Sequence, residues 1–107
     1  MDMTDLPMAT RPMVLEEFTP LIGRSFSADC EPKSVEITLV EAYALPANLA
    51  APRPPFMLIF HTPPEFMLGD GSYILRCGDW GPDRISIWSS IPPVQAEPGF
   101  YYQAVFN

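Results

Sequence analysis

The chain has 107 residues and a formal net charge of −7, a length that is one domain and long enough to bury one core without metal or disulfide staples. Its six basic residues, Arg11, Arg24, Lys33, Arg53, Arg76 and Arg84, form no stripe. Nucleic acid and anionic membrane surfaces both recruit clustered Lys and Arg, so neither is expected as a partner.

Residues 1–12 alternate Met, Asp, Pro, Thr and Ala without a period and read as a flexible leader. The start has no charged-then-apolar order and no apolar run nears the ~20 residues of a membrane helix, so the cytoplasm is the expected compartment. Residues 13–107 read as a single β domain. Leu15, Phe18, Leu21 and Ile22 recur at helical spacing and predict a short helical segment. Glu16 and Glu17 suit its first turn, and Gly23 stops it. Thr19 and Pro20 suit the start of a second turn.

From Ser25 the period becomes two. Phe26, Ala28 and Cys30 mark a first strand, and Glu31–Ser34 a turn. Val35, Ile37 and Leu39 mark a second strand, with a bend expected near Val40 on the way to Leu45. Residues 46–55 carry four prolines and read as an extended connector. Phe56–Phe60 is apolar on both faces, which predicts a central, covered strand ended by Thr62-Pro63-Pro64. Gly69-Asp70-Gly71 turns into a fourth strand, Ser72–Cys77. Gly78–Asp83 reads as a loop that carries Trp80. Arg84–Trp88 is the fifth strand, with Trp88 expected to pack, and Phe100–Phe106 the sixth. In that last strand Tyr102, Ala104 and Phe106 share the face expected to meet the core. About six strands with one helix in front predict an all-β fold, either a small antiparallel barrel or a two-layer sandwich.

Chemistry-bearing residues are few. His61 is the single histidine, and it stands outside any metal-ligand spacing. The expected role is a local hydrogen bond at a strand end, not catalysis or metal binding. Cys30 and Cys77 are expected as reduced thiols. Asp70, Asp79 and Asp83 lie in glycine turns and lack a calcium-loop pattern. No catalytic residue, metal or cofactor is assigned. Trp80 is read foremost as a lid on the core, with an exposed hot spot as the alternative.

The lead expectation is a non-enzymatic interaction or assembly module with a protein partner or a second copy of itself. The alternative is a small barrel that binds an apolar or aromatic ligand, with Phe60, Tyr73, Trp80 and Tyr102 as candidate binding residues. An enzyme using His61 with a cysteine or carboxylate has the least support.

Five short motifs carry a resemblance. They are Phe18-Thr19-Pro20-Leu21-Ile22-Gly23-Arg24-Ser25-Phe26, Leu39-Val40-Glu41, Pro55-Phe56-Met57-Leu58-Ile59-Phe60, Gly71-Ser72-Tyr73 and Tyr102-Gln103-Ala104-Val105-Phe106-Asn107. In this order they resemble an uncharacterised family of short bacterial domain-of-unknown-function proteins that end in Tyr-x-Ala-Val-Phe-Asn. The resemblance supplies no catalytic residue. It implies an accessory or assembly role by association, because members are often encoded near phage-tail-collar-like proteins.

Overall fold

The computed structural model describes residues 12–30, 33–46 and 54–106. The expected leader therefore lies, apart from Pro12, outside the described residues, as does most of the proline-rich connector. Leu15–Phe18 forms a single helical turn, α1. The Glu17 amide donates to the Val14 carbonyl and the Val14 amide donates back to the Glu17 carboxylate, both at 3.1 Å. This pairing satisfies two amides at the helix start. A 3-10 turn, Thr19–Leu21, follows with Pro20 inside it, where the absent amide costs nothing. Phe18 and Leu21 are buried while Ile22, expected on the same face, is exposed, because the chain has left the helix there.

Six strands follow: β1 (Ser25–Ala28), β2 (Val35–Ala44), β3 (Phe56–Thr62), β4 (Gly71–Cys77), β5 (Trp80–Ser90) and β6 (Phe100–Phe106). They close into a barrel in the order β1-β2-β3-β6-β5-β4, and all neighbours run antiparallel. Pairing of Ser27 with Arg76 and Ala28 with Leu75 makes the closing seam and decides for a barrel over a sandwich. The bend expected near Val40 is a register shift between Leu39 and Glu41, one residue of slack in β2.

The expected loop over Gly78–Asp83 needs correction. Only Gly78 and Asp79 turn; β5 begins at Trp80, which pairs with Cys77. Composition misleads there because Gly81 and Pro82 sit inside a strand, beside a register shift between Leu75 and Cys77. Gly81 has φ +86°, and a Cβ would lie 2.6 Å from the Leu75 carbonyl oxygen, so the close strand crossing requires glycine.

The barrel is two three-stranded meanders, β1-β2-β3 and β4-β5-β6, sewn together along β3–β6 and β1–β4. β3 and β4 therefore stand opposite each other in the ring, and residues 63–70 must cross one end of the barrel. That end also carries residues 29–30, 33–34 and 91–99, and is called the loop end. The other, the helix end, carries α1 and the Gly78-Asp79 turn.

Phe18 closes the helix end. Its ring lies 5.2 Å from Trp80, 5.8 Å from Phe56 and 6.0 Å from Phe106, and Phe56 stacks on Phe106 at 4.5 Å. Phe26, Ile37, Leu39, Leu58, Phe60, Leu75, Ile85, Ile87, Tyr102 and Ala104 fill the interior between the ends. The inward face of β6 is Tyr102, Ala104 and Phe106, as its alternation requires. No described helix is long and apolar enough to cross a membrane.

Truncation of the Phe18 ring should open a cavity lined by aromatic rings. Phe18→Ala is expected to lower unfolding stability by about 3–5 kcal/mol in denaturant titrations. A loss under about 1 kcal/mol would show that the helical segment is an appendage and not a plug.

Candidate functional site

The crossing at the loop end is tied to the core by the Tyr102 phenol. The Tyr102 hydroxyl accepts the Leu68 amide at 2.9 Å and pairs with the Thr62 hydroxyl at 3.1 Å. Thr62 in turn donates to the Phe66 carbonyl at 2.6 Å. The crossing connection 63–70 is thus tied to the core, and Leu68 is pulled inside. Tyr73 donates to the Gly69 carbonyl at 2.6 Å, and Asp70 accepts both the amide and the hydroxyl of Ser89. The Tyr102 bonds satisfy buried polar groups of Thr62 and Leu68, while those at Gly69 and Asp70 fasten the exposed rim of the crossing.

The second loop-end connection, residues 91–99, folds back over β2 and β3. His61 meets the Pro98 carbonyl through Nε2 at 2.9 Å, and its ring lies 4.8 Å from that of Tyr101. Tyr101 donates to the Glu97 carbonyl at 3.0 Å. Gly99 has φ +138°, and a Cβ there would collide with the Thr62 carbonyl and the His61 ring. His61 therefore acts as a local strand-end anchor for this connection.

What these anchors leave outside is apolar. Met67 is 70% exposed, Ile91 88% and Val94 93%, with Phe66 and Phe100 also exposed. The register joins them: Thr62 pairs with Phe100, and Ser90 with Tyr101, so Ile91 and Phe100 emerge side by side. Two hollows open here. One of about 320 Å³ lies between Lys33–Glu36 and the crossing connection at Pro63 and Phe66. The other, about 330 Å³, is lined by Val40, Glu41, His61, Val94, Glu97 and Tyr101, among others. Five of the nine large apolar side chains exposed among the described residues therefore lie at the loop end.

The four residues named from sequence are spread through the barrel and not gathered at this surface. Phe60 is fully buried, edge-on to Phe26 at 5.4 Å. Tyr102 is buried and anchors the crossing. Tyr73 is half-buried against the core. Trp80 caps the core at the helix end, 5.5 Å from Phe26, and its indole donates to Glu17 at 3.1 Å. Trp88, expected to pack, stands on the outer face and is 37% exposed. The loop-end residues carry little signal in the sequence because they lie beside prolines or turns, Ile91 and Val94 singly and Phe66 and Met67 in a short run that ends at Gly69. A usable signal was there: Ile91 and Val94 flank Pro92-Pro93, where a strand cannot continue to cover them.

Cys30 and Cys77 are free thiols, and Cys77 is buried. Burial, and then the Asp29 charge, pushes the Cys30 thiol up. Among the described residues no three His, Cys, Asp or Glu side chains gather as a metal set.

Tyr102→Phe should cost about 1–3 kcal/mol, since it strands the Leu68 amide, and should speed hydrogen exchange at Leu68. Unchanged exchange there would refute the anchor. Burial first, then Cys30, Tyr102 and Asp70, raise the Tyr73 phenol above its ordinary 10.0. The folded state therefore holds this proton more tightly than the unfolded one. The resulting stability is intact below pH 10.0 and is lost as pH climbs from there through the folded value. Tyr73→Phe should blunt that alkaline loss in pH-dependent melting; an identical alkaline slope would contradict the assignment.

No curated protein and no solved structure matches the chain. The sequence profile of the family described as "Domain of unknown function (DUF6916)" matches residues 13–106, from two residues before α1 to the end of β6. The chain belongs to this domain family of unknown function.

Proposed function

We propose that the protein is a non-enzymatic interaction module that docks another protein on the loop end of its barrel. The observation that carries this reading is the exposure of Phe66, Met67, Ile91, Val94 and Phe100 at one end, outside a core that is already complete. Burying such side chains is the main source of association free energy, at roughly 25 cal/mol per Å². The polar groups nearby support the reading, because His61, Tyr73 and Tyr102 are engaged in holding the backbone. The small-ligand alternative has less support, since side chains fill the barrel interior. An accessory place beside a phage-tail-like assembly in a bacterial cytoplasm fits the family resemblance and is part of the same reading.

Because these side chains lie outside the core, the triple variant Met67→Ser, Ile91→Ser, Val94→Ser should keep its fold. Each change is expected to alter stability by no more than about 0.5 kcal/mol. A photo-crosslinking residue at Ile91, in protein expressed in its native host, should give a discrete adduct that one at Glu16 on the helix end does not. Adducts at neither position, or at both alike, would overturn the reading, as would collapse of the triple variant.

A further inference from the structure

The loop end is not only apolar but acidic at its edges. Glu65, Asp70 and Glu97 lie in its connections, Glu36 opens β2 beside them, and Glu41 follows on the outer face of β2. Most of the described cations are placed elsewhere or already paired. Arg24 sits beside Gly78 at the helix end, Arg84 lies mid-strand opposite Ile74, and Arg76 on β4 is paired at 2.7 Å with Asp29, which follows β1 on the loop-end side. Lys33 alone among the described cations stands in a loop-end connection.

The hollow of about 330 Å³ brings the two properties together. Val40, Pro93, Val94, Ala96 and Tyr101 give it apolar walls, and Glu41 and Glu97 supply carboxylates. His61 lies in the same wall with Nε2 held by the Pro98 carbonyl. Its lining, completed by Thr38 and Gln95, is about as polar as it is apolar, and such a mixed trough with carboxylates fits a lysine or arginine side chain, whose methylene stem lies along apolar surface while its head reaches polar partners. The exposed Ile91, Met67, Phe66 and Phe100 lie at the same end and would meet apolar neighbours of that residue.

Resting on the interaction reading, we propose that the occupant of the loop end is a cationic amphipathic segment of another protein, with a Lys or Arg side chain seated in the hollow of Glu41 and Glu97. Charge decides between occupants. A second copy docked end to end would bring Glu36, Glu65, Asp70 and Glu97 against their own counterparts, and like charges across an interface oppose association. A basic segment turns the same groups into attraction and faster encounter.

The test titrates the full chain with three synthetic peptides of equal length: amphipathic Leu/Lys, amphipathic Leu/Glu, and Ser/Lys, which is cationic without an apolar face. The Leu/Lys peptide is expected to bind, and the other two to bind at least about tenfold more weakly (about 1.4 kcal/mol). Glu41→Gln with Glu97→Gln should weaken Leu/Lys binding by a similar factor and flatten its salt dependence, and Ile91→Ser with Val94→Ser should weaken it as much. Glu16→Gln with Asp79→Asn, at the helix end, should leave it unchanged. Melting curves confirm that each variant is folded. Equal loss from the helix-end pair would reveal general attraction to an acidic protein and overturn the assignment. Equal binding of the Leu/Glu peptide, or a sedimenting dimer that Ile91→Ser with Val94→Ser dissolves, would also overturn it while leaving the interaction reading intact. If no peptide binds, the cationic occupant is refuted, and the crosslinks at Ile91 separately decide the interaction reading.

Discussion

The pairing of β3 with β6 is the contact on which the rest of the structure depends. It joins two meanders that are otherwise linked through the short β1–β4 seam, and it pairs every residue from Phe56 to Thr62 with one from Phe100 to Phe106. At one end of this ladder Phe56 and Phe106 stack and receive Phe18, which closes the helix end. At the other end Tyr102 lies opposite Phe60 and holds Leu68 and Thr62, which closes the loop end. One ladder thus positions both plugs. A closed six-strand ring has no free long edge, so it avoids the aggregation hazard of an open sheet.

Separation of core from surface follows from this arrangement. Because Leu68 and Tyr102 already complete the loop end from inside, Met67, Ile91 and Val94 are not needed to seal it. Their exposure has no structural return in the isolated domain. The carboxylates around them give the surface a sign as well as an apolar character. In the interaction reading proposed above, such a surface would recognise by burial and select by charge.

Much of the fold was legible in the sequence. Alternation marked β1, β2 and β6, the run Phe56–Phe60 identified β3 as a strand with almost every side chain buried, and Leu15 with Phe18 marked the helical segment. Local chemistry misled at Trp80, because Gly78 to Pro82 has loop composition while long-range pairing with Cys77 makes it strand. Barrel closure was not legible, since the Ala28–Leu75 pairing depends on the crossing of 63–70 and not on either strand's own pattern. The candidate site was the least legible part. Large aromatics such as Phe60 and Tyr102 attract attention in a sequence, yet their size is what the interior uses. Exposed Ile91 and Val94 carry no local mark of exposure beyond the prolines between them.

Native-state hydrogen exchange resolved along the chain tests the separation of core and proposed docking surface most directly. The account predicts that amides of β3 and β6, together with Leu68, exchange only by global opening, while those of residues 91–98 outside the turn exchange orders of magnitude faster. Protection of residues 91–98 equal to that of β6 would place Ile91 and Val94 in the cooperative core, and would contradict a surface held ready for a partner.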